Sequence, residues 1–144
     1  MIKFYVFSYA WLNKLEASDM LGNHIIISIR TPGDGPGEFA TSERTKGVLR
    51  LEFWDDDRHN EEGNFSPSIA KKIWDFVQLH AKNVDDIILH CDMGHSRSPA
   101  VAAALARGLG QDDTEFFKRH RPNMRVYRVL INEIYGMTEH YGAS

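Results

Sequence analysis

Cysteine occurs once in the 144 residues, at Cys91. A single thiol excludes an internal disulfide framework and any cysteine-rich zinc site. It suits a reducing compartment, so a cytoplasmic location is expected. No apolar run reaches the roughly 20 residues that a membrane-crossing helix needs, and no membrane partner is expected. A dominant charge is missing as well. Lys and Arg number 17 against 20 Asp and Glu, for a formal net charge of −3. Bulk attraction to nucleic acid or to an anionic surface is therefore not expected. Repeats and low-complexity segments are absent. The opening MIKFYVFSYAWL lacks a closely following small-residue cleavage site and carries Tyr, Ser and Trp. It reads as a strand running into a helix, not as a signal peptide.

What is present is ordinary in amount, with 42% hydrophobic and 26% charged residues. Such a chain suits one domain over 1–144 built on one core. Aromatic IKFYVF at 2–7 predicts a strand, followed by a short helix over 9–17. HIIISI at 24–29 is nearly all apolar and β-branched, as in a strand buried on both faces. A Pro- and Gly-rich surface loop follows. Residues 48–54 alternate, with Leu49, Leu51 and Phe53 on one face. Ser66-Pro67 is a helix start, and Ile69, Ile73, Phe76, Val77 and His80 share one face of a helix over 67–82. A strand over 86–90 precedes a helix over 98–109 that Gly108 and Gly110 end. Two further helices are expected at 112–120 and 124–136, broken by Arg121-Pro122-Asn123. Apolar strands alternating with helices predict an α/β fold. It would have a central, mostly parallel sheet of about four to five strands flanked by helices.

The stretch ILHCDMGHSRSPAVAAAL at 88–105 carries the chemistry. A loop between a parallel strand and a helix N-terminus aims several backbone N–H groups at one spot, and the helix dipole adds positive potential. Cys91 opens that loop and Arg97 closes it. Gly94 lets it curl, and Pro99 with the alanines starts the helix at once. A thiol in such a field loses its proton more readily, from about 8.5 when free to roughly 3.5–7.5 at cationic or helix-terminal sites. His90 is expected to orient the loop by hydrogen bonding. A phosphate held by the backbone and by the planar fork of Arg97 would stand in line with the sulfur. That arrangement suits nucleophilic phosphoryl transfer.

HCDMGHSRS resembles the His-Cys-x5-Arg-Ser/Thr signature of the cysteine-dependent protein tyrosine phosphatases. The small size is similar to the dual-specificity subgroup, especially its small bacterial and phage-type members. The resemblance is specific over residues 90–98 and looser over 48–109. It implies a phosphatase-like fold with Cys91 as nucleophile. It also implies phosphate binding by Asp92, Met93, Gly94, His95, Ser96 and Arg97, with Ser98 stabilising the departing thiolate. No cofactor and no metal is implied. A phosphate or sulfate ion is expected to fit the loop. Met93 stands where many members carry a small residue, and it is expected to tuck under the loop. Asp92 is acidic in a loop meant for anions. Its side chain is expected to face solvent and to select against highly anionic substrates.

The departing ester oxygen needs a proton, which a carboxylic acid on a neighbouring loop can supply. Asp55, Asp56 and Asp57 follow the 48–54 strand, and sites in parallel sheets lie at the carboxyl ends of strands. The family pattern carries over best to Asp55, with Asp56 second. Elsewhere, KRHRPNMRVYR offers a basic rim, read more simply as charged helix faces paired with Glu115 and Glu133. Seven histidines match no zinc spacing. Trp11, Trp54 and Trp74 read as core or pocket wall, with Trp54 at the mouth of the site. The expected activity is hydrolysis of phosphate monoesters through a phosphocysteine. The substrate would be a phosphorylated protein, phosphotyrosine first and phosphoserine or phosphothreonine next, or a small phosphate monoester. The alternatives are a non-catalytic phosphate-binding module or a phosphatase for phosphoinositide or RNA 5′-phosphate.

Overall fold

Alternation along two apolar strands sets the architecture. In β2 (His24–Arg30), Ile25, Ile27 and Ile29 enter one core cluster and Ile26 enters another, as a period of two requires. β4 (Asp86–Cys91) does the same with Ile87 and Leu89 against Ile88, and all six of its residues are buried. Both strands are therefore covered on two faces. The computed structural model describes residues 1–16, 21–56 and 63–136. Its sheet also holds β1 (Lys3–Ser8) and β3 (Thr45–Glu52). The order is β1-β4-β2-β3, and every pairing is parallel. Parallel pairing collects Ser8, Arg30, Glu52 and Cys91, the last residues of the four strands, at one end of the sheet.

The helices divide unequally between the two faces. α1 (Tyr9–Glu16) covers one, with Leu12 packed by Ile26, Ile88 and Leu21. The other face carries the larger core and packs α2 (Pro67–His80), α3 (Arg97–Gly108) and α5 (Met124–Ile134). α4 (Thr114–Arg119) lies beside α3. Ser66 caps α2 by accepting from the Ile69 amide at 3.3 Å, and Pro67 takes the first turn. Ala100, Val101, Ala102, Ala103, Ala104 and Leu105 of α3 are all fully buried. Small side chains there let α3 pack against the sheet on one side and α5 on the other.

Most element boundaries differ from expectation by one to three residues, as hydrogen bonding decides ends that periodicity does not. The strand expected at 48–54 runs from Thr45 to Glu52, which leaves Trp54 and Asp55 in the loop beyond it. α2 ends at His80, and Ala81–Asn83 form a short 3-10 turn. Gly108 stays helical, whereas Gly110 (φ 82°) turns the chain out while the Gln111 amide reaches back to the Ala106 carbonyl at 2.8 Å. α4 has only six residues. Of the helix expected over 9–17, Tyr9–Glu16 is helical, and residue 17 lies outside the described residues. Trp74 packs against the core as expected, but Trp11 is 56% exposed and is no core residue.

Ala103 has no exposed surface, so adding volume there forces α3 off its neighbours. Ala103→Leu should lower unfolding free energy by about 1–3 kcal/mol. Urea denaturation reads this directly, and an unchanged midpoint would contradict the packing described.

Candidate active site

β4 ends on Cys91, whose side chain is 2% exposed. The chain then curls back over the sulfur. The Gly94 amide donates to Sγ at 3.2 Å, and the Ser98 hydroxyl lies 3.1 Å from Sγ. Gly94 adopts φ 71°, a conformation that favours glycine. A Cβ there would also meet the Phe7 carbonyl carbon and the Ser8 amide nitrogen at 2.8 Å. The end of β1 thus presses on the loop and leaves room for nothing larger.

Arg97 opens α3 and is 5% exposed. Its Nη1 donates to the Phe53 carbonyl at 2.9 Å and to Thr31 Oγ1 at 3.0 Å. Nη2 donates to Asp92 Oδ2 at 3.3 Å, while the buried Nε has no hydrogen-bond partner. The guanidinium is thereby anchored at Nη1. The Nε–Nη2 fork, the edge that matches two oxygens of an oxyanion, keeps donor capacity.

Asp55 is the carboxylate that reaches this loop. Its Oδ1 accepts from Ser96 Oγ at 2.8 Å and from Asn123 Nδ2 at 3.0 Å. The Asp56 carbonyl accepts from the same Asn123 Nδ2 at 3.0 Å. Asp57 lies outside the described residues. Asn123 also caps α5, its Oδ1 accepting from the Val126 amide at 3.2 Å, and its own amide donates to the Ser96 carbonyl at 3.0 Å. One asparagine therefore ties together the acidic loop, the Cys91 loop and α5. In the sequence, Arg121-Pro122-Asn123 reads only as a break between helices. The cap signal, Asn before a helical stretch, was legible, but its partners 67 and 68 positions away were not.

Two expectations need correction. Met93 does not tuck under the loop. It is 70% exposed. Asp92 does not point away into bulk solvent but turns to neighbouring cations, with its side chain 31% exposed. Besides Arg97, it accepts from Thr31 Oγ1 at 2.8 Å and lies 3.3 Å from Arg30 Nε, since two neighbouring guanidinium groups attract it more than water does. His95 is exposed and, with Lys118, Arg119, His120 and Arg121, lines a basic depression beside the loop. Lys118 and Arg119 pair with Glu115, as a charged helix face would. Trp54 is 44% exposed beside Asp55.

His90 bonds across to the neighbouring strand. Its Nε2 lies 2.6 Å from Ser28 Oγ on β2, and its ring stacks on Tyr9 at 5.4 Å. Burial pushes the imidazole down to about 4, and the Arg30 and Arg50 charges act in the same direction. A neutral His90 fastens the end of β4 to its neighbour strand.

No family model matches the sequence, and no curated protein matches it. Solved structures match it in fold. Human DUSP28 superposes with a TM-score of 0.64 at 16% identity, over 94% of this chain and 96% of its own. Human tyrosine phosphatase-like serine/threonine/tyrosine-interacting protein gives 0.63 at 17% identity, over 97% and 91%. PTPMT1, solved in complex with PI(5)P, gives 0.61 at 14% identity, over 96% and 94%. The fold is that of the small dual-specificity-like cysteine phosphatases, as the signature implied. It is shared by a protein called phosphatase-like as well as by phosphatases, so the fold alone does not separate turnover from binding.

The state of His90 has a consequence for stability. Unfolding returns its pKa from about 4 to the ordinary 6.5, so between these values the unfolded chain binds a proton that the folded chain refuses. Stability from this group is complete above 6.5 and falls as pH drops toward 4. The loss should be on the order of 3 kcal/mol over that window. Urea titrations of wild type and His90→Gln across it should show a shallower slope for the variant. Identical slopes would rule out His90 as the source.

Proposed function

We propose that the protein is a phosphatase that hydrolyses phosphate monoesters, protein phosphotyrosine first, through a phosphocysteine. The observation that carries this reading is the surrounding of Cys91 Sγ. It receives the Gly94 amide, stands 3.1 Å from the Ser98 hydroxyl, and opens a loop that closes on an arginine whose buried Nε has no hydrogen-bond partner. A small core cysteine needs none of these groups.

In this mechanism the backbone of residues 92–97 and the Arg97 fork hold the phosphate oxygens. The Cys91 thiolate attacks phosphorus, and the phosphorus–oxygen ester bond breaks. Asp55, as a carboxylic acid, gives its proton to the leaving oxygen. Water then attacks the phosphocysteine, Asp55 takes up the water proton, and the sulfur leaves as a thiolate. Ser98, within hydrogen-bond reach of that sulfur, stabilises the departing charge. The Ser96 hydroxyl supports the choice of Asp55 over Asp56, since it draws the Asp55 carboxylate to the phosphate loop. Exposed Met93 and Trp54 would offer apolar surface to the aryl ring of phosphotyrosine.

Hydrolysis of p-nitrophenyl phosphate tests the reading. Wild type should turn it over and be inhibited by vanadate, and Cys91→Ser should lose at least about 10³-fold in kcat. Phosphate binding without turnover by wild type would mark a binding module instead. Faster turnover of a phosphoinositide than of phosphotyrosine would move the substrate class.

The acid has its own signature. Asp55→Ala should slow alkyl phosphates by about 10²–10⁴-fold and activated aryl phosphates far less, because only a poor leaving group needs the proton. The same leaving-group dependence in Asp56→Ala, and not in Asp55→Ala, would reassign the role.

A further inference from the structure

A carboxylate sits where the proposed substrate needs positive charge. The β2–β4 pairing ends with Ser28 opposite His90, and Arg30 and Asp92 each stand two residues beyond it. Asp92 spends both oxygens on cations. Oδ2 takes Arg97 Nη2, and Oδ1 lies 3.3 Å from Arg30 Nε. Thr31 locks the arrangement by donating to Asp92 Oδ2 at 2.8 Å and accepting from Arg97 Nη1 at 3.0 Å. Arg30 is fixed from its other side. Its guanidinium lies 4.3 Å over the Tyr9 ring, and the Tyr9 hydroxyl is held by the backbone of Glu38 at 2.7 and 2.9 Å. Two arginines are thus built into the sheet end, and one acid cancels the second of them.

We infer that Asp92 is a specificity-determining residue. Its carboxylate stands in the place from which Arg30 would otherwise hold a second anionic group next to the reacting phosphate. The inference rests on the phosphatase reading above and deepens it by naming the substrate class, which is isolated phosphate monoesters with no adjacent phosphate. The physical reason is repulsion built into the site. A lone phosphate can take the Nε–Nη2 fork of Arg97 with Asp92 still on Arg30. A substrate with two neighbouring phosphates must set its second dianion against the Asp92 carboxylate or break the Asp92–Arg30 pair. Selectivity of this kind comes from a repulsive element aimed at the wrong ligand.

Calorimetric titration in the Cys91→Ser background, which cannot turn over, provides the test, with inorganic phosphate and pyrophosphate as probes. Removing the acid by Asp92→Asn should raise the affinity ratio of pyrophosphate to phosphate by about tenfold, as expected for one partly screened charge at close range. Asp92→Ser should move the ratio the same way, which guards against a fold defect peculiar to the Asn variant. Adding Arg30→Gln to Asp92→Asn should return the ratio to that of the parent. A ratio that stays put or falls when Asp92 is removed, or that stays high without Arg30, overturns the inference while phosphate binding by the parent leaves the phosphatase reading standing. Failure of the parent to bind phosphate at all overturns both.

Discussion

The site depends on one buried guanidinium. Arg97 carries a permanent positive charge at 5% exposure, and a charge removed from water must be met by compensating groups or it unfolds its surroundings. The Phe53 carbonyl, Thr31 and Asp92 meet it. These partners come from the ends of three different strands, so placing Arg97 also places the segment that leads to Asp55. The loop from Cys91 to Ser96 is then fixed at one end by β4 and at the other by this charge. Between those ends, Gly94 lies against β1, and Asn123 ties the carbonyl of Ser96 to α5. A loop held at so many points meets a ligand without first having to order itself, which is what preorganised binding requires.

The division of labour between sequence and structure follows from the range of each interaction. The strand HIIISI, the Ser66-Pro67 helix start and the Cys91-to-Arg97 loop were legible because each rests on neighbours within a few positions. The four-strand parallel sheet was legible as a class, from apolar strands alternating with helices. Its order, with the last strand inserted between the first and second, was not. That order is decided by which faces pack, and no local pattern encodes it. The same limit explains Asn123. Its cap is local, yet its bonds to Asp55 and Asp56 cross 68 and 67 positions. Asp92 was misjudged for a related reason. A loop aspartate is usually solvated, and only the pairing of β2 with β4 brings Arg30 Nε within 3.3 Å of it.

His90 shows how the core and the site share one residue. Its imidazole is sealed between Tyr9 and Phe39 and bonded to Ser28, so it behaves as part of the sheet packing and not as a titrating group near neutral pH. Tyr9 in turn carries the Arg30 guanidinium on its ring. The chain of contacts Ser28–His90–Tyr9–Arg30–Asp92 therefore runs from the interior of the sheet to the lip of the loop. A change in packing at the β1–α1 junction would be felt at the charge pair.

Fold likeness at 14–17% identity defines an architecture whose strand ends converge, and it leaves the chemistry to whatever residues occupy those ends. Here the occupants are asymmetric. The Cys91 loop carries the Gly94 amide and the Ser98 hydroxyl at the sulfur and a guanidinium fork at its end, while its own second residue supplies a negative charge. A loop built only to maximise anion affinity would place a neutral side chain at 92 and let Arg30 assist. On the inference drawn for Asp92, retaining the acid would lower affinity for every anion and lower it most for those that bring a second charge. In a cleft with one shared counter-ion, the sign of the residue beside the proposed nucleophile would decide which phosphates are admitted, and the fold, the thiol and the fork are the same in either case.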